Sequence, residues 1–204
     1  MRFPSATVLI GKVPLLWRTL AAMLVLAGAL AMVIEGRARI LRSGSEVRLR
    51  TVPVDPRDLF RGDYVVLSYA ISTVNAAKAE REFRRGDTVY VTLTRDPDGF
   101  SKAAAASLTK PPASGSDVVL AGRVTSTNGC GVNEAGEFDC SSGRNRLRVA
   151  YGLESYFVPQ GTGRAIETTS KARIEIVAAV SASGEAAIKR MLIDGKLVHA
   201  EPPY

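Results

Sequence analysis

The chain has 204 residues, a length that suits one domain plus a short appendage. Its formal net charge is +7, but the first 42 residues already carry +5, so the remaining chain carries only +2. We therefore expect no nucleic-acid binding, because that function requires Lys and Arg clustered on the folded domain.

An apolar segment follows a short leader at residues 1–14. The stretch LAAMLVLAGALAMVI at 20–34 contains no charge and no proline. Adding Leu15, Leu16 and Trp17 extends it to about 20 residues if Arg18 reaches the lipid interface, which is the length of one membrane span. We predict a transmembrane anchor in lipid at residues 15–34, then a basic juxtamembrane stub at 35–43 that could sit on anionic headgroups.

A cleaved signal peptide is the alternative interpretation of the same segment. Ala29-Leu30-Ala31 has the small-x-small form of a cleavage site after a basic and an apolar region. Met32, Val33 and Ile34 carry the apolar run past that site, which favours an uncleaved anchor. Both alternatives export the rest of the chain, and the sequence leaves open whether the segment is cleaved.

The pattern changes to period two in the domain that we place at residues 44–204. A short repeat of Gly, Ser or Asp, any residue and Val begins at Gly44, Gly62, Gly86 and Gly115. Gly and Asp or Ser are turn residues, and apolar side chains alternate with polar ones after each repeat. Each repeat therefore predicts a turn that runs into a half-buried strand.

Further alternating stretches occupy 146–153, 173–180, 186–193 and 196–199. Residues 101–114 lack alternation and predict a surface loop. About eight short strands with regular turns predict an all-β fold, either an antiparallel sandwich or a small open barrel, preceded by one N-terminal transmembrane helix.

The two cysteines bracket a polar, Gly-containing loop. Cys130 and Cys140 lie ten positions apart, a reasonable separation for a disulfide across a hairpin end. A disulfide indicates an oxidising compartment, whereas two reduced thiols in the cytosol remain the alternative.

We expect no metal site, because zinc needs four ligands and His199 is the only histidine. We take the N-terminus as cytoplasmic and the domain as exported.

The stretch RGDYVVLSY at 61–69 resembles the signature of the bacterial GDYXXLXY family of membrane-anchored proteins. Residues 54–61 resemble the family's lead-in to that signature, and YGLESYFVP at 151–159 resembles its second common segment. The similarity covers about residues 40–198. Gln160 departs from the family's pattern, and the insert containing the two cysteines is particular to this chain.

This resemblance implies a protein anchored in the bacterial inner membrane by a single span, with its soluble domain in the periplasm. It also implies a neighbouring polytopic membrane protein as a partner, because relatives are often encoded beside such proteins or fused to them. It supplies no catalytic residues and no cofactor.

Catalytic arrangements are poorly supported by the residues. A serine hydrolase triad needs a placed histidine base, and His199 follows a turn near the C-terminus with no Gly-x-Ser-x-Gly elbow in the chain. A Ser/Lys dyad of the signal-peptidase type lacks its nucleophile segment, since Lys78 falls in a helical stretch and Lys102 and Lys110 fall in a loop. This envelope hydrolase remains our alternative function.

Three carboxylates near the signature, Asp55, Asp58 and Asp63, could bind Ca²⁺ but more simply form turns and pair with neighbouring arginines. The alternation of side chains along each predicted strand places Tyr69 and Tyr151 in the core and Tyr64 and Tyr156 on the opposite faces. Core packing is the default for such aromatics, and a binding groove is the alternative.

We therefore expect a membrane-anchored accessory or binding module outside the cytoplasm, one form of which is a subunit of a membrane complex. We do not expect an enzyme. The candidate contact residues come from the two signature segments: Asp55, Arg57, Asp58, Arg61, Gly62, Asp63, Tyr64, Leu67, Tyr69, Tyr156, Phe157 and Pro159.

Overall fold

A computed structural model describes residues 14–52, 64–75, 83–112, 115–127, 131–132, 138–139, 146–157 and 173–202. It contains one helix, α1 (Leu15–Ser43). The strands are β1 (Ser45–Arg50), β2 (Tyr64–Val66), β3 (Thr73–Asn75), β4 (Thr88–Arg95), β5 (Ser101–Ser107), β6 (Val118–Ser126), β7 (Gly131–Val132), β8 (Phe138–Asp139), β9 (Arg146–Ala150), β10 (Ser155–Phe157), β11 (Ile174–Val180), β12 (Ala186–Ile193) and β13 (Lys196–Ala200). A short 3-10 helix occupies Ala70–Ser72.

Helix α1 continues without a break through the segment predicted as a juxtamembrane stub. Its most apolar part has a mean hydropathy of 2.0 and none of that part is buried in the protein. A helix of this length and composition can cross a membrane, and a signal sequence near the N-terminus has the same properties. The chain divides into two compact units between Arg39 and Ile40.

The prediction of an all-β, antiparallel domain is confirmed. A four-stranded sheet has the order β1-β11-β12-β13, and a five-stranded sheet has the order β3-β9-β6-β4-β5. Strands β3 and β5 at the two edges of the five-stranded sheet approach each other, so that this sheet nearly closes into a barrel. The remaining strands form two small ribbons, β2–β10 and β7–β8.

The predicted alternation is present in the long strands. Val47 and Leu49 on β1 are buried, while Arg48 and Arg50 point away from the core. On β4, the three apolar residues at alternate positions are buried, and the outward positions carry Thr or Tyr. Both faces of β11 are largely covered, as its burial pattern shows. These inward rows form one continuous hydrophobic core between the sheets.

Two local predictions are wrong. Residues 101–107, predicted as part of a loop, form β5, which pairs with β4 along its length. Four consecutive alanines carry no apolar–polar alternation and have a weak strand propensity, so pairing with β4 decides this segment. The run after Gly62 does not continue as one strand either, because the 3-10 helix at Ala70–Ser72 separates β2 from β3.

The last turn of α1 belongs to the β domain. Ile40 and Leu41 pack against Ala179 of β11 and Ala187 of β12, on the outer face of the four-stranded sheet. Gly44 then lets the chain pass close to β11. A Cβ atom there would lie 2.5 Å from the Ile40 carbonyl oxygen and 2.9 Å from the Val180 nitrogen.

Candidate functional site: the signature segments and the open edge of the sheet

The two signature segments are fastened to each other by a pair of tyrosine hydroxyls. The Tyr69 hydroxyl donates to the Leu153 carbonyl oxygen at 2.6 Å. In the opposite sense, the Tyr151 hydroxyl donates to the Ile71 carbonyl oxygen at 2.7 Å. Both tyrosine side chains are buried, so each hydroxyl satisfies a buried carbonyl that water does not reach.

Glu154 adds two further bonds to the same junction. Its carbonyl oxygen accepts the Leu67 backbone N–H at 2.8 Å, and its carboxylate accepts the Tyr151 backbone N–H at 2.6 Å. Burial raises the pKa of both Tyr69 and Tyr151 well above the ordinary tyrosine value, and the negative charge of Glu154 raises it further. Both phenols are therefore neutral donors, as these hydrogen bonds require.

The first signature segment is also tied to the four-stranded sheet. Thr51, next after β1, forms an isolated antiparallel bridge with Tyr69, and the Val52 N–H donates to the Ser68 carbonyl oxygen at 2.9 Å. The buried Thr51 hydroxyl donates to the Ile174 carbonyl oxygen of β11 at 2.7 Å. The signature therefore sits where the two large sheets meet.

This geometry decides several predictions. The expectation that Tyr69 and Tyr151 face the core is confirmed. Leu67 is also buried, so neither it nor Tyr69 offers a contact surface. The expectation that Tyr156 lies on an outer face is wrong, because only 4% of this residue is exposed. The β2–β10 ribbon is itself covered on that face, which parity alone did not indicate.

Other predicted positions fall outside the described residues. They are Asp55, Arg57, Asp58, Arg61, Gly62, Asp63, Pro159, Cys130 and Cys140. Tyr64 and Phe157 are described as backbone positions, and they pair with each other across the β2–β10 ribbon.

Tyr156 connects the second signature segment to the edge strand β13. Its ring packs edge-on against the His199 ring, with 5.6 Å between centroids. The buried hydroxyl has no hydrogen-bond partner of normal geometry among the described residues, although the Glu201 carboxylate lies nearby. Burial, and then the charge of Glu201, raise the pKa of this phenol. His199 is thus a packing partner of the signature, a role that the sequence did not suggest.

Strand β13 is an open edge of the four-stranded sheet. It pairs with β12, and no described strand pairs with its other side. Leu197 is 59% exposed and Val198 is 45% exposed. An unpaired edge with apolar side chains is a surface to which a further strand can be added. The alternation at 196–199 was visible in the sequence, but its position at an edge depends on sheet order.

The described residues contain no cluster of three or more His, Cys, Asp or Glu side chains that could hold a metal ion. Lys102, predicted to lie in a loop, lies on β5, and its ammonium group forms an ion pair with Asp96 at 2.6 Å. Lys102 is thus engaged with a carboxylate, whereas a Ser/Lys dyad needs the lysine beside a serine.

Comparison with known proteins finds one family. The family model described as GDYXXLXY protein matches residues 26–191, which includes both signature segments and most of the β domain. No curated protein and no solved structure matches the chain. The match extends over far more than half of the sequence, and the chain therefore belongs to the GDYXXLXY family.

Proposed function

We propose that this chain is a single-span, inner-membrane-anchored accessory module whose β domain binds a partner protein on the periplasmic side. The observation that carries the proposal is the open edge β13, with Leu197 and Val198 exposed. Soluble proteins protect the edges of their sheets, and strand addition at an unprotected edge is a common mode of protein recognition.

The location of β13 relative to the signature supports the same role. Tyr156 in the second signature segment packs against His199 on β13, so the signature contacts the edge strand directly. In this proposal Tyr156 supports the strand from the core side, and the partner pairs with its open side. A polytopic membrane protein is the partner that we favour, since the family resemblance implies one beside the anchor.

The periplasmic location has a direct test. A reporter enzyme that is active only outside the cytoplasm, fused after Tyr204, should be active in intact cells. The fusion should also keep the mass of the uncleaved chain, because cleavage after Ala31 would shorten it visibly on a gel. Activity of a cytoplasm-specific reporter at the same position would reject the topology.

The partner proposal is tested by photocrosslinking in native membranes. A photoreactive amino acid at Leu197 should yield a discrete higher-mass adduct that contains a second protein. The matched control places the same amino acid at Ala104, an exposed position on β5. Equal adducts from both positions, or none at Leu197, would reject β13 as the binding edge.

A binding role rather than catalysis is the remaining part of the proposal. The ion pair between Lys102 and Asp96 argues against Lys102 as a neutral base. A serine-reactive probe should leave the native chain unlabelled between residues 44 and 204. A covalent adduct at one serine, lost when that serine is replaced by alanine, would instead favour the envelope hydrolase.

A further inference from the structure

A cleft of about 440 Å³ opens on the outer face of the four-stranded sheet, beside the turn that leads into β13. Strands β1, β11 and β12 form its floor, and the end of β4 with the following turn forms its wall. Its lining residues are Glu46, Val47, Arg48, Arg95, Gly99, Val177, Arg190, Leu192 and Gly195.

Two arginines stand on either side of the cleft floor. Arg48 on β1 pairs in register with Val177 on β11, and Val177 pairs with Arg190 on β12. Directly paired residues project from the same face of a sheet, so the two guanidinium groups flank a small apolar floor at Val177. Arg95, the last residue of β4, is a third arginine among the lining residues of the cleft.

The positive charge of the cleft is only partly balanced. Arg48 donates to Glu175 through its Nε at 3.0 Å and also through its Nη2, and Arg190 donates to Glu46 at 2.5 Å. Glu46 also accepts an ion pair from Lys189 at 2.9 Å. Arg95 has no carboxylate partner among the described residues. Each guanidinium group has five N–H donors, so Arg48 and Arg190 keep further donors after these bonds.

A neighbouring aromatic ring holds part of the arrangement in place. The guanidinium groups of Arg48 and Arg50 lie over the Phe100 ring, at 4.7 and 4.5 Å from its centroid. Arg50 also pairs with Asp98 at 2.8 Å. These contacts join the turn after β4 to the outer face of β1, so the cleft is organised before any ligand arrives.

We propose that this cleft binds a phosphate-bearing anion. Three guanidinium groups around an open, shallow volume provide forked donors of the kind that bind phosphate oxygens. The phosphate group can belong to a phospholipid headgroup or to a free phosphate ion. Titration with a phospholipid and with inorganic phosphate distinguishes these two sources.

The test uses the full-length protein in a neutral detergent at fixed ionic strength. Binding is titrated calorimetrically with a short-chain phosphatidylglycerol, with inorganic phosphate and with a short-chain phosphatidylcholine. Phosphatidylglycerol should bind, and Arg95→Gln should weaken it about tenfold, the loss expected for about 1.4 kcal/mol of charged hydrogen bonding. Arg95→Lys should retain part of the affinity because it keeps the charge.

Arg123→Gln is the matched control. Arg123 is also exposed on a strand, and it pairs with Thr88 at the opposite end of β4, roughly 23 Å from Arg95 by strand rise. It should bind phosphatidylglycerol like the natural chain. Binding of inorganic phosphate alone, lost in Arg95→Gln, would support the cleft but assign it to a free anion. Equal weakening by Arg95→Gln and Arg123→Gln, or no binding of either anion, would overturn the proposal.

Discussion

The Tyr69 hydroxyl donates a hydrogen bond to the Leu153 carbonyl oxygen at 2.6 Å and thereby joins the two signature segments of the chain. The bond from Tyr151 to Ile71 repeats this relationship in the opposite sense. A tyrosine from each segment thus satisfies a backbone carbonyl in or just beyond the other. These bonds show that Tyr69, the final tyrosine of the first signature, has a structural role that does not depend on a ligand.

Tyr69→Phe should lower the free energy of unfolding by about 1–2 kcal/mol, because it leaves the Leu153 carbonyl oxygen buried without a donor. Tyr151→Phe should have a similar effect through the Ile71 carbonyl oxygen. The measurement is urea unfolding of the full-length protein in detergent. Tyr156→Phe is the matched control, since its buried hydroxyl has no partner of normal geometry among the described residues and its loss should change stability little. A larger loss from Tyr156→Phe than from Tyr69→Phe would contradict this account.

Stability should fall steeply in alkali. Burial raises the pKa values of Tyr69, Tyr151 and Tyr156 above the ordinary value of about 10. Above that pH the unfolded chain has lost these protons while the folded chain keeps them, so the folded state binds more protons and stability decreases as pH rises. Each tyrosine contributes a slope of about 1.4 kcal/mol per pH unit.

Urea unfolding at several alkaline pH values, with phenolate absorbance recorded in parallel, checks this dependence. Tyr69→Phe should reduce the slope by the contribution of one tyrosine. The expectation fails if Tyr69, Tyr151 and Tyr156 ionise near their ordinary pKa while the protein is still folded.

Much of the β domain could be predicted from local pattern. Alternation at Val47, Leu49, Val89 and Val91 reflects direct burial of one strand face, and the structure confirms it. The alanine-rich β5 was missed, because its strand conformation depends on pairing with β4 rather than on its own side chains.

The candidate site was less predictable for a different reason. Burial of Tyr156 depends on how the β2–β10 ribbon packs against β13. The alternation of side chains along one strand does not indicate how that strand packs against another. The cleft is assembled from Arg48, Arg95 and Arg190, which are far apart in the chain. The order of the four-stranded sheet brings Arg48 and Arg190 together, and Arg95 comes from the other large sheet. The outward position of the arginines on β1 could be predicted from the sequence, but their proximity to Arg95 and Arg190 could not.

Gly44→Ala should destabilise the junction between α1 and the β domain. The added methyl group would lie 2.5 Å from the Ile40 carbonyl oxygen and 2.9 Å from the Val180 nitrogen, and backbone atoms cannot move aside easily. We expect a loss of about 1–3 kcal/mol, seen as a lower melting temperature of the full-length protein. Gly36→Ala is the control, because nothing lies within 4 Å of its added methyl group. Equal melting of the two variants would show that the junction has room to adjust.

A disulfide between Cys130 and Cys140 is the last prediction. Gly131 pairs with Asp139 and Val132 pairs with Phe138. The two cysteines lie outside the described residues, and their separation of ten positions suits a bridge across a hairpin end.

Protein purified from the oxidising compartment should therefore contain no thiol that alkylates before reduction, and two that alkylate after it. Cys130→Ser should expose one thiol and lower the free energy of unfolding by about 2–3 kcal/mol, the loop-closure contribution of a bridge of this span. The control is the same chain made without α1 in a reducing cytoplasm, where both thiols should alkylate. Two free thiols in the exported protein would reject the bridge and would weaken the argument that the domain faces an oxidising compartment.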